Sequence, residues 1–205
     1  PEMMDGYEFV KLQQEVMGAE DFKNMYLKDG NTLEDYRKFK SYDWQKEIYR
    51  TAMSHNHHVL LNGNAGDLKY STSVSYNDQE GVIINSDLNR YQARVNLSQQ
   101  FNKRLKVDAN ANFASTTQNG PNPSNNTSAM STAFMYSVWA YRPVSPSGAD
   151  LKDEIYDTDI DMAEDYRFNP VLSAKNEYRR NTTNTLQANL SAEYEIIKNL
   201  KFKVA

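Results

Sequence analysis

An acidic stretch in the second half of the chain offers the most obvious chemistry. Its five carboxylates are Asp157, Asp159, Asp161, Glu164 and Asp165. Alternating carboxylates suit calcium, which prefers oxygen ligands, and their spacing resembles the start of an EF-hand loop. That loop requires glycine at its sixth position and glutamate at its twelfth, where this chain has Met162 and Phe168. The pattern therefore favours a solvated acidic loop over a calcium site.

Three clustered histidines are the second candidate for chemistry. His55 and His57 share one face if their segment is a strand, whereas His58 points to the other face. Neutral imidazoles are common zinc ligands, but no third ligand stands at a suitable spacing. We therefore predict no metal site at this position.

An aromatic and basic segment, Trp139-Ala140-Tyr141-Arg142, is the third candidate. Tryptophan, tyrosine and arginine dominate the energetics of binding surfaces, so Trp139, Tyr141 and Arg142 are candidate contacts to a substrate or a partner protein. The alternative is that they pack locally within a long loop. The sequence contains no Ser–His–Asp set, phosphate-binding loop or sheltered carboxylate pair, so we predict neither enzymatic activity nor a bound cofactor.

Composition narrows the class of protein. The chain has 205 residues, of which 39% are hydrophobic, and a net charge of −4, which does not favour a nucleic-acid partner. It contains no cysteine, so disulfides and thiolate metal sites are excluded. No apolar run reaches the roughly 18 residues of a membrane helix. Fourteen tyrosines are typical of strands and of membrane interfaces.

Two long alternating strands, between residues 90 and 115, must position any such chemistry. Apolar residues, including Val95 and Val107, occupy one parity, and polar residues occupy the other. A soluble sheet and a membrane barrel with a wet lumen both explain this pattern. In the barrel the following polar residues would face the lumen: Arg94, Asn96, Asp108, Asn110 and Asn112.

Connection lengths favour the barrel. Alternation continues in hairpins over 56–62 with 69–76 and over 184–197 with 201–205. The joints at 63–68, 102–105 and 198–199 are tight, and they alternate with long joints at 77–89 and 116–183. Outer-membrane barrels have short inner turns and long outer loops, whereas sandwiches follow no such rule. The predicted fold is mainly β, an antiparallel up-and-down segment of a transmembrane barrel whose long outer loops carry short helices.

The segments follow from these assignments. Residues 1–54 form an outer loop with short helices, 55–115 form barrel hairpins, 116–183 form a long outer loop, and 184–205 form a truncated hairpin. Helices are predicted over 6–17, from a capping box at Asp5 and Glu8, and over 129–140, with a short one ending near Arg37. The segment 43–50 is ambiguous. We expect the long loop, 117–182, to be separable from the strands.

Several motifs in order resemble the SusC-like TonB-dependent transporters of Bacteroidetes outer membranes. They are Met4-Asp5-Gly6-Tyr7-Glu8, Tyr42-Asp43-Trp44-Gln45, Arg50-Thr51-Ala52, Asn56-His57, Asp78-Gln79-Glu80-Gly81, Asn85-Ser86-Asp87, Arg90-Tyr91, Arg167-Phe168-Asn169-Pro170, Tyr178-Arg179-Arg180-Asn181-Thr182-Thr183 and Glu195-Ile196-Ile197-Lys198-Asn199-Leu200-Lys201-Phe202.

The resemblance implies a large plugged barrel in the outer membrane, energised through the TonB complex. It also implies a SusD-like surface lipoprotein as a lid and import of glycans or peptides. The chain departs from the family in extent, because it shows no plug, no TonB-contacting segment and only about a third of a 22-stranded barrel. The alternative is a soluble β-rich module that binds carbohydrate through aromatic loop residues.

Overall fold

The computed structural model describes residues 2–121, 134–154 and 168–205, except for the side chain of Asp29. The chain divides into two compact units. One unit, termed the sheet unit, comprises 52–81, 86–119 and 180–205. The other, termed the helical unit, comprises 1–51, 82–85 and 120–179.

The sheet unit is a single six-stranded antiparallel sheet in which each strand pairs with its neighbours in sequence. Its strands are β1 (Ser54–Ala65), β2 (Leu68–Glu80), β3 (Asp87–Gln100), β4 (Leu105–Asn119), β5 (Arg180–Ile197) and β6 (Leu200–Val204). The order β1-β2-β3-β4-β5-β6 is the up-and-down topology predicted from the sequence, and the mainly β fold is confirmed.

The two ends of the strands differ in how they are connected. At one end, here called the turn end, tight turns join β1 to β2, β3 to β4 and β5 to β6. Gly66, with φ of 61°, and Asn199, with φ of 67°, adopt the left-handed conformation that glycine and asparagine tolerate best. At the loop end the chain leaves the sheet through 81–86 and 120–179, which belong largely to the helical unit.

The strands extend further towards the loop end than alternation predicted. β2 continues to Glu80 and β3 begins at Asp87, so the joint predicted at 77–89 is only 81–86. β4 and β5 likewise remain paired as far as Asn119 with Arg180. Most residues on both faces are polar in these end segments, so the sequence shows no alternation of apolar and polar residues there.

Among its described residues, the helical unit contains five short helices: α1 (Gly6–Val16), α2 (Ala19–Tyr26), α3 (Trp44–Ile48), α4 (Phe134–Ala140) and α5 (Pro170–Asn176). Short 3-10 helices cover Lys28–Gly30 and Leu33–Arg37. The predicted capping box of α1 is present, because Asp5 accepts from the Glu8 amide at 2.8 Å and Glu8 accepts from the Asp5 amide at 3.1 Å. None of the described helices is long and apolar enough to span a membrane.

The described residues of the helical unit form two hydrophobic cores. The first core packs Trp44, Ile48, Val138, Tyr141 and Leu151, among others, and the second packs Val10, Phe22, Tyr26, Tyr36 and Val144. The segment from Tyr141 to Leu151, here called the strap, contributes to both cores. The long loop between β4 and β5 therefore shares its interior with the N-terminal segment that precedes β1.

Candidate functional site

One face of the sheet unit is apolar and exposed. Its most exposed apolar side chains range from 39% exposed, at Val95, to 71% exposed, at Val59 and Leu186. The strand register places them on one side, in rows such as Val59, Val74, Phe113 and Leu186. Exposed apolar areas of this extent mark contact with a membrane or another protein.

Aromatic side chains border this apolar face. Tyr76 and Tyr91 pack at 4.8 Å between ring centroids towards the loop end, and Tyr194 pairs with Phe202 towards the turn end. On β4 the partners of Tyr91 and Tyr194 are Ser115 and Leu105. Leu105 and Ser115 are ten residues apart on β4, and ten residues span about 34 Å along a strand. At a tilt of about 40° this becomes roughly 26 Å, close to the apolar band of outer-membrane barrels.

The opposite face is polar and grooved. All five residues predicted to face a lumen lie on it, in adjacent rows. Asn110 accepts a hydrogen bond from Asn189 at 3.0 Å, and Arg94 donates to Asn112 at 3.3 Å. Asp108 pairs with Lys106 at 2.9 Å. Asn96, Asp108 and Asn110 help line a groove of about 420 Å³.

The structure separates the three residues predicted to form a contact surface. Trp139, on α4, is 50% exposed and donates its indole N–H to Gln45 at 3.3 Å. Tyr141 and Arg142 are only 3% and 7% exposed, so the structure places both in the interior of the helical unit. Tyr141 and Arg142 are buried because this segment packs against α3, which is distant in sequence.

Trp44 explains this burial. Its ring stacks on Tyr42 at 4.9 Å and meets the edge of Tyr141 at 5.3 Å. Its indole N–H donates to the Arg142 carbonyl at 2.8 Å. The motif around Trp44 that carries the family resemblance therefore anchors the strap, although sequence reasoning left this segment ambiguous.

Two asparagines hold α5 from its two ends, a role that the sequence analysis missed. Asn169 is fully buried; its oxygen accepts from the Val171 amide at 2.9 Å, and its nitrogen donates to the Leu151 carbonyl at 2.8 Å. Asn85, with φ of 59°, donates to the Ala174 carbonyl at 3.0 Å. The dipeptide Asn169-Pro170 is a helix-start signal that could have revealed α5.

An ion pair holds the exposed end of the strap. Asp150 accepts from the Lys40 ammonium at 2.7 Å, from the Tyr42 hydroxyl and from the Lys152 amide at 3.0 Å. The hydrogen bond from Lys40, followed by that from Tyr42, lowers the pKa of Asp150 well below its usual range. The same contact with Asp150 raises the pKa of Lys40.

These shifts predict how the strap responds to pH. Because the pKa of folded Asp150 is depressed, its stabilising effect is present above the pKa of the unfolded carboxyl, about 3.9, and is lost as the pH falls through the folded value. We expect protease cleavage within 147–152 to be constant from pH 7 to pH 5 and to rise in stronger acid. An acid-stable protease should be used.

The variant Asp150→Asn should be cleaved faster than wild type at neutral pH, and its cleavage rate should no longer rise in acid. Asp153→Asn, at an exposed carboxyl three residues beyond Asp150, is the matched control and should behave as wild type. An Asp150→Asn protein with the wild-type cleavage profile at both pH values would show that the ion pair does not hold the strap.

The other candidates from the sequence form no site within the described residues. His57 stacks on Tyr76, with 6.5 Å between ring centroids, on the apolar side of the sheet. Across 2–121, 134–154 and 168–205, no three histidine or carboxylate side chains gather to hold a metal ion. The carboxylates of 157–165 lie outside the described residues, as do residues 129–133 of the predicted helix, whereas Phe134–Ala140 is helical as predicted.

Comparison with known proteins adds sequence relatives. No protein-family model matches the chain. It is 43% identical over 72 residues, 35% of the chain, to the TonB-dependent receptor SusC of Bacteroides thetaiotaomicron. It is 32% identical over 161 residues, 78% of the chain, to the TonB-dependent receptor P3 of Formosa agariphila. These matches span only 7% and 16% of the two relatives.

Solved structures agree on the fold. The chain resembles the RagAB peptide transporter with a TM-score of 0.62 and 21% identity, over 98% of this chain and 25% of that chain. It resembles the RagAB peptide importer in its open-open state with a TM-score of 0.64 and 20% identity, over 98% and 24% of the two chains. Sequence and fold together show that the chain belongs to the SusC-like TonB-dependent receptors, and that it spans a part of their length.

Proposed function

We propose that this chain forms part of the barrel wall and outer loops of a TonB-dependent outer-membrane importer of glycans or peptides. The observation that carries the proposal is the exposed apolar face of the sheet, roughly 26 Å tall between aromatic rims. Lipid is the solvent that such a face requires, and a wet lumen suits the polar face. The loop end, from which the long connections leave, would then face outwards.

A soluble carbohydrate-binding module explains these features less well. A soluble sheet with this apolar face would need a covering layer, since exposed apolar patches of monomers rarely exceed a few hundred Å². The hydrophobic cores of the helical unit are instead filled by its own residues. The relatives in sequence are receptors and not enzymes, which also favours a transport role.

The importer proposal is tested by uptake. Cells that express the full-length protein should accumulate a labelled oligosaccharide or oligopeptide, and deletion of TonB should abolish this accumulation. A point variant in the TonB-contacting segment of the full-length protein is the matched control. Uptake that continues undiminished without TonB would contradict the proposal.

Trp139 is the remaining candidate for contact with the substrate or with a SusD-like surface lipoprotein. Half of its surface is exposed, while the hydrogen bond to Gln45 fixes the edge of the ring. A preorganised aromatic ring loses little entropy on binding, so it is suited to a hot spot. Tyr141 and Arg142 are buried, which makes Trp139 the more accessible of the three predicted contact residues.

We predict that Trp139→Ala weakens capture of the lipoprotein or substrate by about 2 kcal/mol or more, the usual threshold of a hot spot. The helical unit should stay folded, because the core contacts of Val138 and Tyr141 remain. Pull-down of the lipoprotein and substrate titration measure the effect. Tyr178→Ala, at an aromatic residue that is 87% exposed, is the control and should leave both unchanged. Normal binding by both variants would remove Trp139 from the contact surface.

A point variant is preferable to removal of the loop. The expected separation of the loop from the strands does not extend to the N-terminal helices, because the strap packs Tyr141 and Leu151 into one core and Val144 into the other. Replacement of 121–165 by a Gly/Ser linker would therefore expose Trp44 and Tyr36 and disturb the N-terminal helices. Loss of uptake in that variant would not distinguish unfolding of the helical unit from loss of contacts to the substrate or the lipoprotein.

A further inference from the structure

The polar face of the sheet unit changes character between its two ends. From the loop end past the middle of the strands, five consecutive rows cross β1 to β5, from the row of Ser54 to the row of Asn62. Five rows on five strands give 25 positions, and 19 of these carry amide or hydroxyl side chains. None of the 25 carries a carboxylate. We call this area the amide field.

The only side chains of the amide field with a permanent charge are two arginines. Arg90 and Arg94 lie on β3, four residues apart and both exposed, and the third basic residue is His58. Neither arginine forms an ion pair with any of the described residues; Arg94 donates to the neutral Asn112. The amide field therefore presents positive charge without a compensating acid inside its own rows.

The first carboxylate on this face lies beyond the amide field and is already neutralised. Asp108 pairs with Ser98, which is four residues along β3 from Arg94, or about 13 Å. That distance exceeds the screening length at physiological salt, about 8 Å. Asp108 moreover contacts Lys106 at 2.9 Å. Further towards the turn end, opposite charges alternate, for example Lys201 and Glu193 at 2.7 Å.

The shape of the amide field suits a ligand. A groove of about 520 Å³ lies within it, and its lining residues include Asn56, His58, Asn77, Arg90 and Gln92. Side-chain amides donate and accept hydrogen bonds, which matches the paired hydroxyls of a sugar ring. The guanidinium group binds carboxylates through two parallel hydrogen bonds. The apolar side chains of a peptide ligand would need large apolar partners, and in the amide field these occur only at Leu60 and Leu88.

We propose that the amide field is a contact surface for an acidic oligosaccharide, with Arg90 and Arg94 binding its carboxylates and the surrounding amides binding its hydroxyls. This inference rests on the proposed function, which supplies a lumen through which a glycan passes. It goes further by assigning the class of ligand and the residues that select it. Cationic ligands are disfavoured, because no acid in the amide field offsets the two arginines.

Binding to the purified full-length protein in detergent tests this inference without requiring uptake. The probes are a fluorescent oligogalacturonate and its methyl ester, which has the same ring chemistry but no charge. We expect the acid to bind at least about tenfold more tightly than the ester. The double variant Arg90→Gln/Arg94→Gln should lose this preference, while its affinity for the ester stays within about twofold of wild type.

The matched control is Lys103→Gln/Arg104→Gln, which removes two positive charges from the turn between β3 and β4, outside the amide field. It should retain the preference for the acid. If the arginine variant does not form a barrel, the wild-type protein still decides, because its affinity for the acid but not the ester should fall as salt is raised.

Three results would overturn the inference: equal binding of acid and ester, a preference that survives in the arginine variant, or an oligoglutamate that binds as tightly as the oligogalacturonate. Failure of the importer proposal is distinguishable, because it would appear as TonB-independent uptake or as no uptake, whatever the binding preference.

Discussion

Trp44→Ala should unfold the helical unit more readily than any other single substitution in it. Trp44 is 1% exposed, and Trp→Ala substitutions in cores cost about 3–5 kcal/mol. The change also removes the donor to the Arg142 carbonyl and the ring that separates Tyr42 from Tyr141. Proteolysis of the full-length protein should accelerate within 6–50 and 134–154, while the strands keep their protection.

Trp44→Phe separates packing from hydrogen bonding. It retains an aromatic ring against Tyr42 and Tyr141, but it leaves the buried Arg142 carbonyl without its donor, which costs about 1–3 kcal/mol. Cleavage should therefore be intermediate between wild type and Trp44→Ala. If Trp44→Ala leaves the strap as protected as wild type, the packing described for the first core does not stabilise the helical unit.

Val95→Arg should impair insertion of the barrel, whereas Asn96→Arg should be tolerated. Val95 lies near the middle of the apolar face, four residues along β3 from Tyr91, and arginine facing lipid near the bilayer midplane costs about 2–4 kcal/mol. Asn96 lies on the polar face beside Ser71 and Asn110, where an added cation remains hydrated. Folding of the full-length protein into lipid vesicles measures both.

These neighbouring residues form a matched pair, since they differ by one step along β3 and receive the same side chain. A folding yield that is lower for Asn96→Arg than for Val95→Arg would reverse the assignment of the two faces. Equal folding yields of the two variants would contradict the assignment of one face to lipid and the other to water.

The sheet was largely predictable from local sequence. Alternation in β3 and β4 fixes which residues share a face, since side chains on a strand repeat every two residues. Turn residues such as Gly66 and Asn199 mark the hairpins. The ends of the strands were not predictable, because polar residues on both sides of the sheet at the loop end leave no parity to detect.

The helical unit was predictable only in part, for a physical reason. The caps of α1 are local, so the sequence reveals them. α2 was missed although Phe22 and Tyr26 are four residues apart, because two apolar residues make a weak periodic signal. The burial of Tyr141 and Arg142 depends on Trp44, about a hundred residues away, and periodicity carries no information about such contacts.

The most direct test of the central claim is the accessibility of successive residues on β3. The chain contains no cysteine, so a single cysteine introduced within it reports one position. Val95→Cys, Asn96→Cys and Leu97→Cys should be made in the full-length protein and treated with a membrane-impermeant maleimide in a lipid bilayer. We predict that the maleimide labels position 96 alone. If fluorophores are attached at positions 95 and 97 before reconstitution, lipid-soluble quenchers should quench them. Equal labelling at all three positions would contradict a barrel wall with one face in lipid and one in water.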